Sequence, residues 1–227
     1  MAEPLPIVFD LDGTLIESAP QIHAVANKVF TAKGLQPFPF SIVRGAIGHG
    51  LGVLVDRLLQ SQGHAATWPL HAELAASFVK MYEEAFDLTT LYPGVAEALT
   101  DLANAGHRLG VCTNKPEGPA RAVLRHFGLD TVFAAVIGGD TLPTRKPDPA
   151  PLRAALRSLG SGTGLFVGDS EVDAETAAAA NIPLALYTQG YRNAPVETLG
   201  AKLIFDDFRA LPRLVAHLLP RLEAAPR

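Results

Sequence analysis

The sequence predicts an α/β fold: a Rossmann-like parallel sheet core with an inserted small all-helical cap domain. Three observations carry this. Short apolar runs without polar alternation recur along the chain, as in strands buried on both faces of a parallel sheet. Helical patterns alternate with those runs over the C-terminal part, the rhythm of βα units. The stretch 16–90 breaks that rhythm, with helical periodicity and no convincing strand. The 227 residues therefore divide into a core of 1–15 and 91–227 and a cap of 16–90.

Taken in order, the first apolar run is Pro6–Phe9, closed by Asp10. The cap then opens at Ser18, where Ser18 and Gln21 have capping-box spacing and Pro20 suits a first turn. That helix carries Ile22, Val25, Val29 and Phe30 on one face and stops at Gly34. A second helical stretch covers 41–59, interrupted by glycines, and a third covers 71–86. In the core, patterns at 95–105, 117–127 and 149–159 each end before a glycine, a common helix stop. A fourth, 170–180, ends at Asn181, the next best residue for a left-handed cap. Between them lie the apolar runs Leu109–Cys112, Ala134–Ile137, Leu165–Val167, Leu184–Tyr187 and Leu203–Phe205. A terminal helix is expected over 214–222, broken at Pro220.

Composition excludes several classes. With 48% hydrophobic and 19% charged residues the chain is not disordered. Nineteen Lys and Arg against 23 Asp and Glu leave a net charge of −4 without a basic cluster, so no nucleic-acid partner is expected. No run approaches the ~18 apolar residues of a membrane span. The start Met1-Ala-Glu-Pro has no basic leader, and Cys112 alone makes neither a disulfide nor a cysteine metal cluster, so a cytoplasmic location is expected. Cys112 reads as a small strand residue. The oligomeric state stays open between monomer and homodimer. An anionic substrate would have to be neutralised locally.

Open α/β sheets bind ligands at the carboxyl ends of their strands. Four polar clusters fall at such ends or beside them: Asp10-Leu-Asp12-Gly-Thr14, Thr113-Asn114-Lys115, Arg145-Lys146-Pro147-Asp148, and Gly168-Asp169-Ser170 with Asp173 a turn later. Asp10, Asp12 and Asp169 would repel one another unless a hard divalent cation sat between them, and all-oxygen ligands favour Mg²⁺. Lys146 and the hydroxyls of Thr14 and Thr113, with Asn114 beside them, would supply donors for a phosphate. Such a set suits phosphoryl transfer, with a carboxylate as nucleophile and a second one protonating the leaving alkoxide. Spacing leaves open which of Asp10 and Asp12 attacks.

Taken together, Asp10-Leu-Asp-Gly-Thr-Leu15, Val111-Cys-Thr-Asn-Lys115, Arg145-Lys-Pro-Asp-Pro149 and Gly168-Asp-Ser-Glu-Val-Asp173 resemble the four ordered motifs of the haloacid dehalogenase superfamily. They span nearly the whole chain. Leu15–Pro20, Ile47–Leu51, Gly138–Pro143, Arg145–Leu152 and Asp173–Ala177 are similar to its phosphoglycolate phosphatase branch. The resemblance implies Asp10 as nucleophile and Asp12 as general acid/base. It implies Mg²⁺ on the Asp10 side chain, the Asp12 carbonyl and Asp169, with Asp173 orienting waters around it. Thr113 and Lys146 would hold the phosphoryl group of a small phosphomonoester. Two positions depart from the pattern: Glu17 stands where Asp is common, and Asn181 where Gly is common.

The turn Gly48-His49-Gly50-Leu51-Gly52 has the wrong spacing for a dinucleotide fingerprint and reads as a cap turn closing over the site, with His49 a contact. Arg44 on the cap and Arg192 after the fifth core strand are the candidate readers of a substrate carboxylate. Rival readings are a phosphosugar phosphatase, a phosphomutase, and a receiver-type signalling module. The last normally carries its phospho-acceptor after a middle strand and needs no cap.

Overall fold

The computed structural model describes residues 4–67, 69–82 and 85–223. Strands β1 (Ile7–Phe9), β4 (Leu109–Cys112), β5 (Ala135–Ile137), β6 (Leu165–Gly168), β7 (Leu184–Tyr187) and β8 (Leu203–Phe205) form one parallel sheet in the order β5-β4-β1-β6-β7-β8. Counting only these six along the chain, the order is 3-2-1-4-5-6, that of the Rossmann fold, whose ligand crevice opens where the winding reverses. Here that point lies between β1 and β6. Phe9 pairs with Val111 on one side and Val167 on the other, so the residues after these strands emerge side by side.

The apolar runs are continuous because both faces are covered. Ile7 and Phe9 face a core with α5 (Val95–Asn104), α6 (Glu117–His126) and α9 (Leu211–Glu223), while Val8 faces α7 (Ala150–Ser158) and α8 (Glu171–Ala180). Phe166 is wholly buried on the α7–α8 side, and Leu165 and Val167 are wholly buried on the other. Each such side chain contributes about 1.5–3 kcal/mol on burial. Asn181 ends α8 in the left-handed conformation at φ 58°, the role its short polar side chain tolerates.

The helical insert has an apolar cluster of its own, drawn from α1 (Ala19–Thr31), α2 (Phe40–Ala46), α3 (Leu51–Ser61) and α4 (Leu70–Tyr82). Phe30, Val43, Val55, Leu58, Leu59 and Leu74 are wholly buried within it.

Five expectations change. The stretch 16–90 holds strands after all: β2 (Ile16–Glu17) pairs antiparallel with β3 (Thr90–Leu91), a ribbon too short for any period to register. The second cap stretch is two helices, parted at Ile47–Gly50, where Gly48 and Gly50 take φ of 112° and 87° that other residues rarely adopt. Ser18 forms no capping box, because its hydroxyl donates to Asp12 Oδ1 instead (2.5 Å). The third cap helix ends at Tyr82, with residues 83 and 84 outside the described set. The terminal helix starts at Leu211 and runs unbroken past position 220. No described helix is long and apolar enough to cross a membrane.

Candidate active site

Asp10 is the first residue past β1, and its N–H still donates to Val167 O (2.8 Å), which fixes its backbone against β6. Its carboxylate is buried, and Asp10 Oδ1 lies 2.9 Å from the Lys146 ammonium as a buried ion pair. Lys146, 3% exposed, also donates to Asp173 Oδ1 (2.7 Å). Asp173 Oδ2 in turn accepts from Asp169 N, Ser170 N and Ser170 Oγ, closing the capping box that starts α8. Asp173 therefore fixes both Lys146 and the Asp169 turn.

Asp169 accepts from Thr14 Oγ1 and from Tyr191 N, both at 2.7 Å. Thr14 is thus spent on a carboxylate rather than aimed into the cleft. Asp12 turns the other way: Ser18 Oγ and Lys115 Nζ (3.1 Å) hold its Oδ1. Lys115 is almost fully buried and stands 3.8 Å over the Tyr82 ring, so the cap covers its other side. Thr113 is buried, and its hydroxyl accepts from Lys115 N (3.2 Å). Asn114 Nδ2 donates to Gly48 O and Lys146 O, both at 3.0 Å, tying the cap turn to the Lys146 loop.

Burial raises the Asp10 carboxyl to about 7, despite the opposing pull of Lys146, and the Asp173 charge adds to the rise. Asp169 is raised well above the ordinary carboxylate range, first by burial and then by Asp173 and Asp10. Burial opposes the Lys146 charge, but Asp10 and Asp173 outweigh it and raise its pKa. The pattern is of two acids crowded where one charge is missing.

That crowding tests whether a cation fits. Carboxylate oxygens of Asp10, Asp169 and Asp173 lie within 4.8 Å of one another, a hard, all-oxygen donor set. Asp173 is tied to Lys146 and to the start of α8 and does not line the cleft, whereas Asp10 and Asp169 do and could reach a metal there. The backbone is fitted to this arrangement: a Cβ on Gly190 would sit 2.2 Å from Asp169 Oδ2, and one on Gly13 2.5 Å from it. A divalent cation fits. The Asp12 carboxylate is not in this cluster.

Two cavity lobes meet at Asp10 and Asp12. One is apolar and enters the cap between Ile22, Leu54, Phe78 and Tyr82, with Thr113, Asn114 and Lys115 on its floor. The other is polar and is lined by His49, Arg57, Asp169 and Glu171. His49 thus faces the cleft. Arg44 and Arg192 line a separate recess with Gln189 and Gly190. Arg44 Nη2 donates to Gly190 O (2.7 Å) and its guanidinium lies 5.2 Å from the Tyr191 ring centroid. Arg192 donates to Thr188 O.

Sequence reasoning overlooked Lys115, Ser18, Tyr191 and Arg57. Lys115 stood inside a motif and Tyr191 beside Arg192, so position after a strand was the available signal. Glu17 gains an explanation: it accepts from Tyr191 Oη (2.7 Å), Ala19 N (3.0 Å) and Tyr92 Oη (3.2 Å), three groups spread around the start of the cap. Burial, then the Glu17 charge, raises the Tyr92 hydroxyl. Cys112 is a buried strand thiol, pushed up by burial to about 12, and is unreactive in that state.

The same architecture recurs in known proteins. The family profile of the haloacid dehalogenase-like hydrolases matches residues 7–187. A phosphoglycolate phosphatase of Cereibacter sphaeroides is 48% identical over 94% of this chain and 98% of its own. One of Rhodobacter capsulatus is 45% identical over 92% of this chain and 95% of its own. The crystal structure described as a predicted phosphoglycolate phosphatase from Haemophilus somnus superposes with a TM-score of 0.89 at 32% identity, covering 95% of this chain and 99% of that one. With a profile match across most of its length, relatives near half identity and the strand-end acids in place, the chain belongs to the haloacid dehalogenase-like hydrolase family.

Proposed function

We propose that the chain is a Mg²⁺-dependent phosphatase that converts 2-phosphoglycolate to glycolate and phosphate through an aspartyl-phosphate on Asp10. The observation that carries this is the divergence of two carboxylates two residues apart. Asp10 joins Lys146 and Asp169 at the sheet's reversal point, while Asp12 is held apart by Lys115 and Ser18. This divergence supports giving the attack to one and the proton transfers to the other. The substrate follows the names of the relatives at 45% and 48% identity.

Asp10 attacks phosphorus as the bond to the ester oxygen breaks, and Asp12 gives its proton to the departing alkoxide, which leaves as glycolate. Asp12, now ionised, takes a proton from a water that attacks the phosphorus. The bond between phosphorus and the Asp10 oxygen breaks, and phosphate is released. Lys146 balances charge beside Asp10 throughout, and Thr113 and Asn114 border the phosphoryl position. Mg²⁺, held by Asp10 and Asp169 with the Asp12 carbonyl, would supply positive charge to the phosphoryl oxygens. The cap excludes bulk water when closed.

Asp10→Asn tests the chemistry: turnover falls at least 10³-fold while the melting curve stays cooperative. Full activity in that variant refutes the nucleophile. A panel of 2-phosphoglycolate, phosphosugars and ethyl phosphate, with phosphate and sugar isomers both measured, tests the substrate. Isomerised sugar without phosphate release would identify a mutase.

A further inference from the structure

The polar lobe contains a cation that the phosphatase chemistry leaves unused. Arg57 lies on α3 and lines the same cavity as Asp10, Asp12 and Asp169. Among the described residues it belongs to no ion pair. Its neighbour Asp56 faces elsewhere and pairs with His71 (3.2 Å). The four acids that share the lobe have other partners: Asp10 pairs with Lys146, Asp12 accepts from Ser18 and Lys115, Asp169 accepts from Thr14 and Tyr191, and Glu171 Oε1 accepts the backbone N–H groups of Asn193 (2.6 Å) and Ala194.

A second group in that lobe also lacks a partner. His49 Nδ1 is buried with no hydrogen-bond partner among the described residues. Burial, then the charge of Arg57, lowers the His49 pKa against the opposing pull of Glu175 and Glu171, which favours the neutral ring with its single donor. A guanidinium without an ion-pair partner and an imidazole line one cavity together, and their N–H groups could serve an anion as a fork of donors, the arrangement a carboxylate fits. Arg44, the cation expected to take this part, is committed to Gly190 O and the Tyr191 ring in a different recess.

Resting on the proposed reaction at Asp10, we infer that Arg57, with His49 beside it, binds the carboxylate of the leaving group and so selects phosphomonoesters of small 2-hydroxy acids. The apolar lobe offers such a substrate nothing, since a two-carbon hydroxy acid has almost no apolar surface. The polar lobe offers it a charge. The preference for an anionic leaving group is then a property of α3 and the turn preceding it, separate from the carboxylates that transfer the phosphoryl group.

The test compares Arg57→Ala and Arg57→Lys with the unaltered chain on two substrates, 2-phosphoglycolate and ethyl phosphate, which differ by the carboxylate. A hydrogen-bonded ion pair of this kind gives about 10- to 100-fold. Arg57→Ala lowers the ratio of kcat/KM for 2-phosphoglycolate over ethyl phosphate by about that factor, mainly through KM. Arg57→Lys, which keeps the charge without the fork, recovers part of it. A ratio unchanged in Arg57→Ala, or equal losses on both substrates in both variants, overturns the assignment and leaves the phosphatase reading intact. Should the unaltered chain hydrolyse ethyl phosphate as well as 2-phosphoglycolate, the carboxylate is not read at all. In that case the substrate assignment falls too, while the chemistry at Asp10 stands.

Discussion

Lys115→Met tests the part of the site to which the proposed reaction assigns proton transfer. The Lys115 ammonium is 3.1 Å from Asp12 Oδ1 and 3.3 Å from Oδ2, with only 4% of its side chain exposed. At an effective dielectric of about 20, that separation gives a gross attraction of about 5 kcal/mol. Removing both charges from water takes back much of it, and Asp12 keeps 14% of its side chain accessible and can rehydrate. A net loss of about 2–3 kcal/mol remains, or roughly 30- to 150-fold in rate if Asp12 must stay aligned to donate its proton. The loss depends on the leaving group. An alkyl phosphate expels a strongly basic alkoxide and needs the proton, whereas p-nitrophenyl phosphate expels a stable phenolate and does not. Measured as kcat/KM, which stops at the first phosphoryl transfer, Lys115→Met should cost the full factor on 2-phosphoglycolate and only a few-fold on p-nitrophenyl phosphate. Methionine keeps the apolar contact with Tyr82, so loss of packing is a small part of the effect. Equal losses on the two substrates would show that Lys115 serves folding or phosphate binding instead, and would refute its role in aligning Asp12 for proton transfer.

Two further outcomes follow from the crowded acids. A carboxyl that titrates near 3.8 in the unfolded chain and near 7 at Asp10 gives the folded state an extra proton in between, so stability is fully present below pH 3.8 and is lost as pH rises through about 7. In EDTA the melting temperature should therefore fall between pH 5 and about 8, and saturating Mg²⁺ should flatten that fall; a metal-free melting temperature that climbs over this window contradicts the buried-acid account. Gly190→Ala places a methyl 2.2 Å from Asp169 Oδ2 and 2.4 Å from its Cβ, an overlap of about 1 Å that displaces the carboxylate. The Mg²⁺ concentration for half-maximal activity should rise by about tenfold or more, and an unchanged Mg²⁺ dependence would remove Asp169 from the metal site.

The core was legible because burial on both faces writes itself into composition. Leu109–Cys112, Leu184–Tyr187 and Leu203–Phe205 begin and end where the apolar runs do. Glycine and asparagine stops were readable for the same local reason: a left-handed residue is specified by its own side chain. What escaped was specified at a distance. Lys115 meets Asp12 across 103 positions, and Tyr191 meets Ser18 across 173, so no local spacing could announce either. Ser18 had a valid local pattern, yet a charged acceptor at Asp12 competed successfully for its hydroxyl, since a bond to a carboxylate is stronger than one to a helix N–H. Arg44 and Arg57 were indistinguishable as cap arginines; only their neighbours separate them.

The ribbon of β2 and β3 is where the chain leaves the core and where it returns. Ile16 lies against Leu91, Glu17 against Thr90, and Tyr92 N donates to Leu15 O (3.1 Å), so departure and re-entry are side by side. Everything between them is a closed loop whose ends are already joined, and the cost of closing it grows only slowly with its length, by about 0.6 kcal/mol for each doubling. Helices can lengthen, split or be replaced there without shifting Asp10 or Asp169. The chemistry is inherited with the sheet, and the choice of substrate is free to change with whatever is threaded through this one doorway.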